Sequence, residues 1–403
     1  MFHARTAYLA FVALMALSFS TFGTLSALYR VQVAGLDPLQ LVLLGTALEL
    51  SVLLFEVPTG LLADLYSRRA SVILGMVLIG LGFALEGLLP VFGAMLLAQM
   101  VWGLGVTFES GASAAWLSDE IGVEAANRTF LRAAQLGQIF GLLGIGSSVL
   151  LAQVHLGLPL VAGGVGFGLN ALFLLLFMPE RGFVRSPSVM GDPFGALRQT
   201  FGAALALALG RPLILSIFLI TALLGASSEA FDRLSEAHLL LDIGLPGGLS
   251  PALAFGLVAA GSSLLSLLAT EVVRRRVDTS SHVAVARTLL GITLLLSLAV
   301  VGFGVAGNFA LALALYGSVR LLRTLSAPLS AAWLNQNLEP GTRATVFSMN
   351  GQMDALGQIA LGPLLGLVAQ AYGMPAAFVA AGIVLLPAAQ LYRRTLRRPA
   401  GAS

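Results

Sequence analysis

The chain has 403 residues, of which 58% are hydrophobic and only 10% charged, and its mean hydropathy is +0.93; one soluble core cannot bury that much apolar surface. There is no cysteine, which excludes disulfides, thiolate catalysis and thiolate metal sites together, and the four histidines, at 3, 155, 238 and 282, show no metal-ligand spacing. The net charge of +3 comes from arginines in short clusters between apolar runs, a pattern of membrane topology and not of nucleic-acid binding, and with no lysine there is no Walker loop.

A helix that crosses the hydrocarbon core needs about 20 mostly apolar residues. Runs of this kind predict spans at 7–33, 39–64, 70–90, 92–119, 129–154, 158–179, 212–240, 250–273, 284–306, 308–335, 343–370 and 374–392, twelve in all. The first run starts behind Arg5 and continues toward Leu28, past the length of a signal peptide, so it reads as an uncleaved span. No long alternation of apolar and polar residues suggests a β-barrel. Arg5, Arg68, Arg69, Arg128, the stretch Arg181–Arg211, Arg274–Arg276, Arg343 and Arg393–Arg398 all fall on one side of these twelve spans, whereas loops such as Leu89–Gly93 and Ala371–Pro375 on the other side carry no charge. The inside-positive rule therefore places both termini in the cytoplasm.

The polar stretch 181–211 is expected to be a cytoplasmic linker, with a short amphipathic helix from Pro193, between six-helix halves at 1–180 and 212–403. An internal repeat supports the halves: Ala114-Ala115-Trp116-Leu117 ends the fourth span and Ala331-Ala332-Trp333-Leu334 the tenth. Each is followed by an arginine that opens the next span, Arg128 or Arg343. Two such bundles around a midplane site are a recurrent plan among transporters.

After the second span comes Gly60-Leu-Leu-Ala-Asp64-Leu-Tyr-Ser-Arg68-Arg69. Gly60 suits close helix approach, Asp64 can accept bonds at a helix N-terminus of the opposite half, and Arg68 or Arg69 can pair with an acid, with Asp119 or Glu120 the expected partner. The stretch resembles the signature loop between helices two and three of the major facilitator superfamily, with Leu65 and Ser67 departing from the usual arginine and glycine. The resemblance covers essentially the whole chain. It implies an all-α integral membrane fold of two pseudo-symmetric six-helix bundles, and a cytoplasmic gate made of Gly60, Asp64, Arg68, Arg69, Asp119 and Glu120. The second-half equivalents, Glu271–Asp278 and Asn335-Gln336-Asn337, are degenerate, so the latch is expected to be lopsided.

Ionisable residues near the centre of a span cost about 2.5–3.5 kcal/mol each on insertion scales and so need a reason. Glu229, Asp232, Arg233 and Glu236 recur at i, i+3, i+4 and i+7 on the seventh span, a face expected to line water with Glu229 paired to Arg233; a solvated outer helix end is the other reading. The resemblance implies that helices one, four, seven and ten border the cavity. The candidates for contact with solute or protons are therefore Glu109, Glu229, Asp232, Arg233, Glu236, Arg320 and Arg323, with Glu109 the first choice as proton carrier and Glu229 or Asp232 next, and with Glu49, Glu56 and Asp354 added as intramembrane charges. Glu86 reads as an interfacial charge. Phe22, Tyr29, Phe108 and Tyr316 are the cavity aromatics, and Phe19, Trp102, Trp116 and Trp333 can also stack on a flat or cationic solute.

Proton-coupled exporters of the superfamily usually carry Arg-x-x-x-Gly in helix four, where this chain has Gln99-Met-Val-Trp102-Gly103. Their helix-five Gly-Pro-x-x-Gly occurs here in the eleventh span, as Gly362-Pro363-Leu-Leu-Gly366. Both are departures from the exporter pattern; the reading that the resemblance nonetheless implies is a proton-linked exporter of drug-like or amphipathic compounds, the alternative being a symporter or facilitator for a nutrient or lipid-like solute. A polytopic enzyme or structural subunit is remote, since no paired nucleophile and base stands at membrane depth. The expected setting is a bacterial cytoplasmic membrane and a monomer, with a small solute and the bilayer as partners, no nucleic acid, metal or cofactor, and a proton gradient as the driving force.

Overall fold

The computed structural model describes residues 3–184, 211–276, 281–336 and 343–396, with the single positions Gly195, Gly202, Ala206, Gly210 and Leu338. Among these residues every regular element is a helix, because in lipid only a segment that satisfies its own backbone groups can cross. In chain order they are α1 Ala4–Gly23, α2 Ser26–Gln32, α3 Pro38–Leu65, α4 Arg68–Leu88, α5 Phe92–Glu109, α6 Ala112–Ile121, α7 Val123–Ala152 and α8 Leu158–Phe177. There follow α9 Pro212–His238, continued by a π-turn at Leu239–Ile243, then α10 Pro251–Arg276, α11 His282–Gly304, α12 Phe309–Gln336, α13 Arg343–Tyr372, α14 Met374–Val384 and α15 Leu386–Leu396.

Among the described residues eleven helices, counting interrupted ones as continuous, are long and apolar enough to cross a membrane. The twelfth, α10, has 26 residues, and among the described residues its stretch Pro251–Ser266 is an apolar helix. Three expected spans are interrupted. The first breaks between Gly23 and Ser26, where Thr24 Oγ1 donates to Ser20 O at 2.6 Å beside the backbone bond from Thr24 N, and Ser26 Oγ donates to Gly23 O at 3.2 Å. The fourth breaks at Ser110 and Gly111, and the last at Leu385, just before Pro387. The fifth begins at Val123, a turn and a half earlier than its apolar run suggests, because a polar first turn costs nothing outside the hydrocarbon. Most of the linker expected at 181–211, the side chains of Arg274–Arg276, Asn337, and Arg397 and Arg398 lie outside the described residues.

The chain divides into two compact units: Met1–Leu36, Ala47–Leu197 and Ser250–Ala260 form one, and Asp37–Thr46, Arg198–Leu249 and Gly261–Ser403 the other. In the first, helix contacts rest on small residues and hydroxyls, as expected where lipid removes the hydrophobic drive between helices. Thr59 Oγ1 donates to Thr107 O at 3.0 Å, Ser71 Oγ to Phe108 O at 2.8 Å and Ser51 Oγ to Met100 O at 2.8 Å. Gly80 of α4 and Gly164 of α8 face each other so closely that a Cβ on Gly164 would lie 2.7 Å from Gly80 O and 2.7 Å from Ala84 N. The aromatic side chains turn inward: Phe83 stacks on Phe22 and meets Trp102 and Phe167 edge-on at centroid distances of 5.1 and 5.2 Å.

The second unit has a core of Ile214, Ile217, Phe218, Leu289, Trp333 and Tyr392, and a second aromatic nest in which Phe231 packs with Phe303, Tyr316 and Phe378, and His238 meets Phe303 and Phe378. The repeat at Trp116 and Trp333 plays the same part in both units. Each indole is buried, and each packs against a tyrosine, Trp116 stacked on Tyr8 at 6.4 Å and Trp333 tilted against Tyr392 at 5.3 Å. Replacing Gly164 with valine is expected to lower stability by about 1–3 kcal/mol through overpacking. Gly168→Val, at a position with nothing within 4 Å of its added Cβ, is expected to leave the melting temperature in detergent near that of the wild type.

Candidate functional site

Two groups of charged side chains stand inside the first unit. One closes the loop between α3 and α4. Arg68 pairs with Asp119 at the end of α6 and bridges back to Asp64, one helical turn earlier, at 3.2 Å. Ser67, the departure from the family's glycine, caps α4 by accepting from Ala70 N at 2.9 Å and donates to Glu180 at 2.7 Å. Glu180 also accepts from Arg69 N at 2.9 Å, so a carboxylate sits on the positive end of α4. The Arg69 guanidinium donates to Leu175 O at 2.6 Å, and Glu120 accepts from the Arg181 and Gly182 amides. Of the gate residues named from the sequence, Asp64, Arg68 and Asp119 come together, while the Arg69 guanidinium turns to the last turn of α8 and Glu120 to the segment that leaves it. Gly60 is a correction: a Cβ there would meet nothing within 4 Å, so it marks no close helix approach.

The other group is fully interior. Glu86 of α4 is 1% exposed and takes Arg30 Nε of α2 on one oxygen at 2.7 Å and Gln99 Nε2 of α5 on the other at 2.6 Å. Glu86 is therefore not an interfacial charge but the centre of a buried ion pair, and Arg30, absent from the candidates above, is its partner. The position that carries arginine in the exporter pattern holds Gln99, and a guanidinium reaches the same carboxylate from the first span instead. Tyr29, next to Arg30, donates its hydroxyl to Gly87 O at 2.8 Å. Tyr29 and Phe22 are accordingly core side chains, 1% and 2% exposed, and not cavity aromatics. An apolar ring gains more from the ring-lined bundle interior than from a wet wall. Glu109 ends α5 and accepts from Ser113 Oγ at 2.6 Å across the break into α6, with Phe108 beside it partly buried. Glu49 and Glu56 are partly buried on α3.

In the second unit α9, α12 and α13 bring most of the remaining candidates together. Asp232 and Arg323 form a bidentate pair at 2.6 and 2.8 Å, with side chains 32% and 34% exposed. Arg320, one helical turn before Arg323, is exposed. Asp354 of α13 accepts from Gln358 at 2.8 Å and lies against Gly225, where a Cβ would strike its carbonyl and carboxylate. Glu229 pairs with Arg233 through Oε1 at 3.2 Å and has no exposed surface, while its Oε2 is buried without a hydrogen-bond partner. The pair lies against two glycines: a Cβ at Gly45 would strike both the Glu229 carboxylate and the Arg233 guanidinium, and one at Gly362 would stand 2.9 Å from Glu229 Cγ. Gly362 opens the Gly-Pro-x-x-Gly string of the eleventh span. Tyr316 is 6% exposed and stacked on Phe231, a core residue beneath this face.

The face expected from the i, i+3, i+4, i+7 spacing is thus split. Asp232 is partly exposed, whereas Glu229 is sealed inside, which rules out a solvated helix end for it. Sequence spacing also missed His238, buried at the end of α9, whose Nδ1 lies 2.7 Å from Asp242 at the π-turn. Among the described residues no group of three metal-ligating side chains converges.

Breaking the interior ion pair by Glu86→Ala is expected to cost about 3–5 kcal/mol, because Arg30 is left buried and uncompensated. The double replacement Arg30→Met with Glu86→Leu is expected to recover most of that loss, as read by thermal unfolding in detergent. Arg68→Ala removes a partly exposed pair and is expected to cost no more than about 1 kcal/mol.

No family model matches the chain. Over 395 residues, 96% of the chain and 94% of the relative, it is 24% identical to the uncharacterized MFS-type transporter YxaM of Bacillus subtilis (strain 168). Among solved structures it is similar to the nucleoside transporter NupG, with a TM-score of 0.77, 13% identity and coverage of 98% of this chain and 100% of that one. It is also similar to a bacterial homologue of the human lysosomal transporter Spinster in an inward-facing, unoccupied conformation, with a TM-score of 0.74, 17% identity and 99% coverage of both. A structure of a POT family transporter with a thioalcohol-conjugated peptide gives 0.76 at 12% identity, covering 98% and 96%. The chain is a multi-pass membrane protein with the fold of the major facilitator superfamily, and along nearly its whole length it is similar to an MFS-type transporter.

Proposed function

We propose that the chain is an alternating-access secondary transporter that exports drug-like or amphipathic compounds in exchange for protons, with Glu229 as the proton carrier. The observation that carries this reading is the buried Glu229 carboxylate, one oxygen held by Arg233 and the other without a partner. A proton can occupy Oε2 without displacing a hydrogen bond, and in doing so it weakens the ionic pull on Arg233. Asp232 is less suited, since both of its oxygens are engaged by Arg323. Glu109 has a hydroxyl donor and a partly exposed side chain, so a proton there would change less. A protonation that loosens a packed pair beneath Gly45 and Gly362 couples charge to helix packing, the differential interaction that an alternating cycle requires.

A second reading, uptake of a polar nutrient, draws support from the charge density of the α9, α12 and α13 face, where Asp232, Arg320 and Arg323 are at least partly exposed. Purified protein in liposomes with an imposed pH gradient, screened against cationic dyes and nutrients in both orientations of the gradient, separates the two. Export predicts solute movement opposite to the proton flux and uptake predicts movement along it. Glu229→Gln is expected to reduce gradient-driven transport to the level of protein-free liposomes while solute exchange without a gradient persists. Glu109→Gln is expected to retain gradient-driven transport. Transport that ignores both the gradient and Glu229→Gln ends the proton-coupled reading.

A further inference from the structure

The second unit carries a groove, separate from the charged face, that neither the motifs nor the proposed transport uses. Its volume is about 450 Å³, and its walls come from α9, α13 and α15. Leu219 and Leu223 of α9 and Ala360 and Leu361 of α13 make the apolar sides, and small side chains such as Ala360 leave the trough open. The polar atoms gather on α15, where Gln390 and Arg394 stand one turn apart on the same side of the helix and both line the groove. From Pro387 to Arg394 the α15 wall is about 10 Å long at the helical rise. Arg394 lies two residues from the end of α15 and is exposed, as is Arg393. Two further arginines follow in the sequence, at 397 and 398.

We infer that this groove holds one anionic phospholipid, with an acyl chain against the leucines and the phosphate at Arg394 and Gln390. The chemistry selects this occupant. A polar solute would find no partner along the leucine and alanine walls and would lose its hydration without return. An acyl chain fills such walls at no polar cost, and a guanidinium at one end suits a phosphate, which it can engage through two N–H donors. Four arginines within 393–398, at the helix end that the inside-positive rule assigns to the cytoplasm, add the surface charge that concentrates anionic lipid. The inference does not depend on what the protein transports.

The test is native mass spectrometry of the full chain, extracted in mild detergent from nanodiscs of equal parts phosphatidylglycerol and phosphatidylcholine. The wild type is expected to retain one phosphatidylglycerol in preference to phosphatidylcholine. Arg394→Gln, an exposed position that leaves the core intact, is expected to reduce that preference about fivefold, the effect of one arginine at a membrane surface. Ala360→Trp, which fills the trough, is expected to abolish retention of either lipid, and its melting temperature without added lipid checks that it folds; if it does not, Arg394→Gln decides alone. Equal retention of the two lipids by the wild type, or an undiminished preference in Arg394→Gln, overturns the assignment.

Discussion

Hydrocarbon offers no hydrogen-bond partner, neither to a peptide group nor to a charge, and the organisation of this protein follows from that. Peptide groups answer it by forming helices; at the break near Thr24 the hydroxyl adds a bond to the Ser20 carbonyl, and across the break at Gly111 the Ser113 hydroxyl donates to the Glu109 carboxylate. Charges answer it by meeting each other. Arg30, Glu86 and Gln99 come from three helices to satisfy both oxygens of one carboxylate, and Asp232 binds both nitrogens of the Arg323 fork. Among the described residues five buried side-chain atoms lack a partner, Arg69 Nε, Gln99 Oε1, Ser148 Oγ, Asn170 Oδ1 and Glu229 Oε2, and of these only Glu229 Oε2 belongs to a carboxylate, which makes it a natural place to look for function.

The same solvent decides how the helices touch. Lipid tails are as apolar as leucine, so leucine gains little by leaving them, and the leucines of α8 stay largely on its outer surface while Gly163, Gly164 and Asn170 turn inward. Rings behave differently because their contacts with one another exceed those with acyl chains. Phe22, Phe83, Trp102 and Phe167 in one unit, and Phe231, Phe303, Tyr316 and Phe378 in the other, gather into nests that fix the helices around them.

The two units divide the electrostatic work unequally. In the first, charge is spent on structure: Arg68 with Asp119 and Asp64, Glu180 on the start of α4, and the sealed Arg30 pair. In the second, α9, α12 and α13 set partly exposed ions beside a buried one, so that a change of charge at Glu229 bears directly on packing at Gly45 and Gly362. That contrast is why chemistry is assigned to the second unit and anchoring to the first.

The helical spans, the arginine asymmetry and the motif at Asp64 and Arg68 were legible in the residues themselves, since hydropathy, charge and a loop signature are local properties of the chain. Even the Glu229 and Arg233 pair follows from a spacing of four on one helix. What local pattern could not supply was the identity of partners distant along the chain. Arg30 and Glu86 are 56 residues apart, Asp232 and Arg323 are 91 apart, and the phenolic hydroxyl of Tyr29 finds its acceptor 58 residues on. Amino-acid type announces that a charge needs a partner or that a ring needs neighbours. Only the packing of helices against one another, settled by small residues and close approach, determines which partner it meets and whether the pair is sealed from water or left open to it.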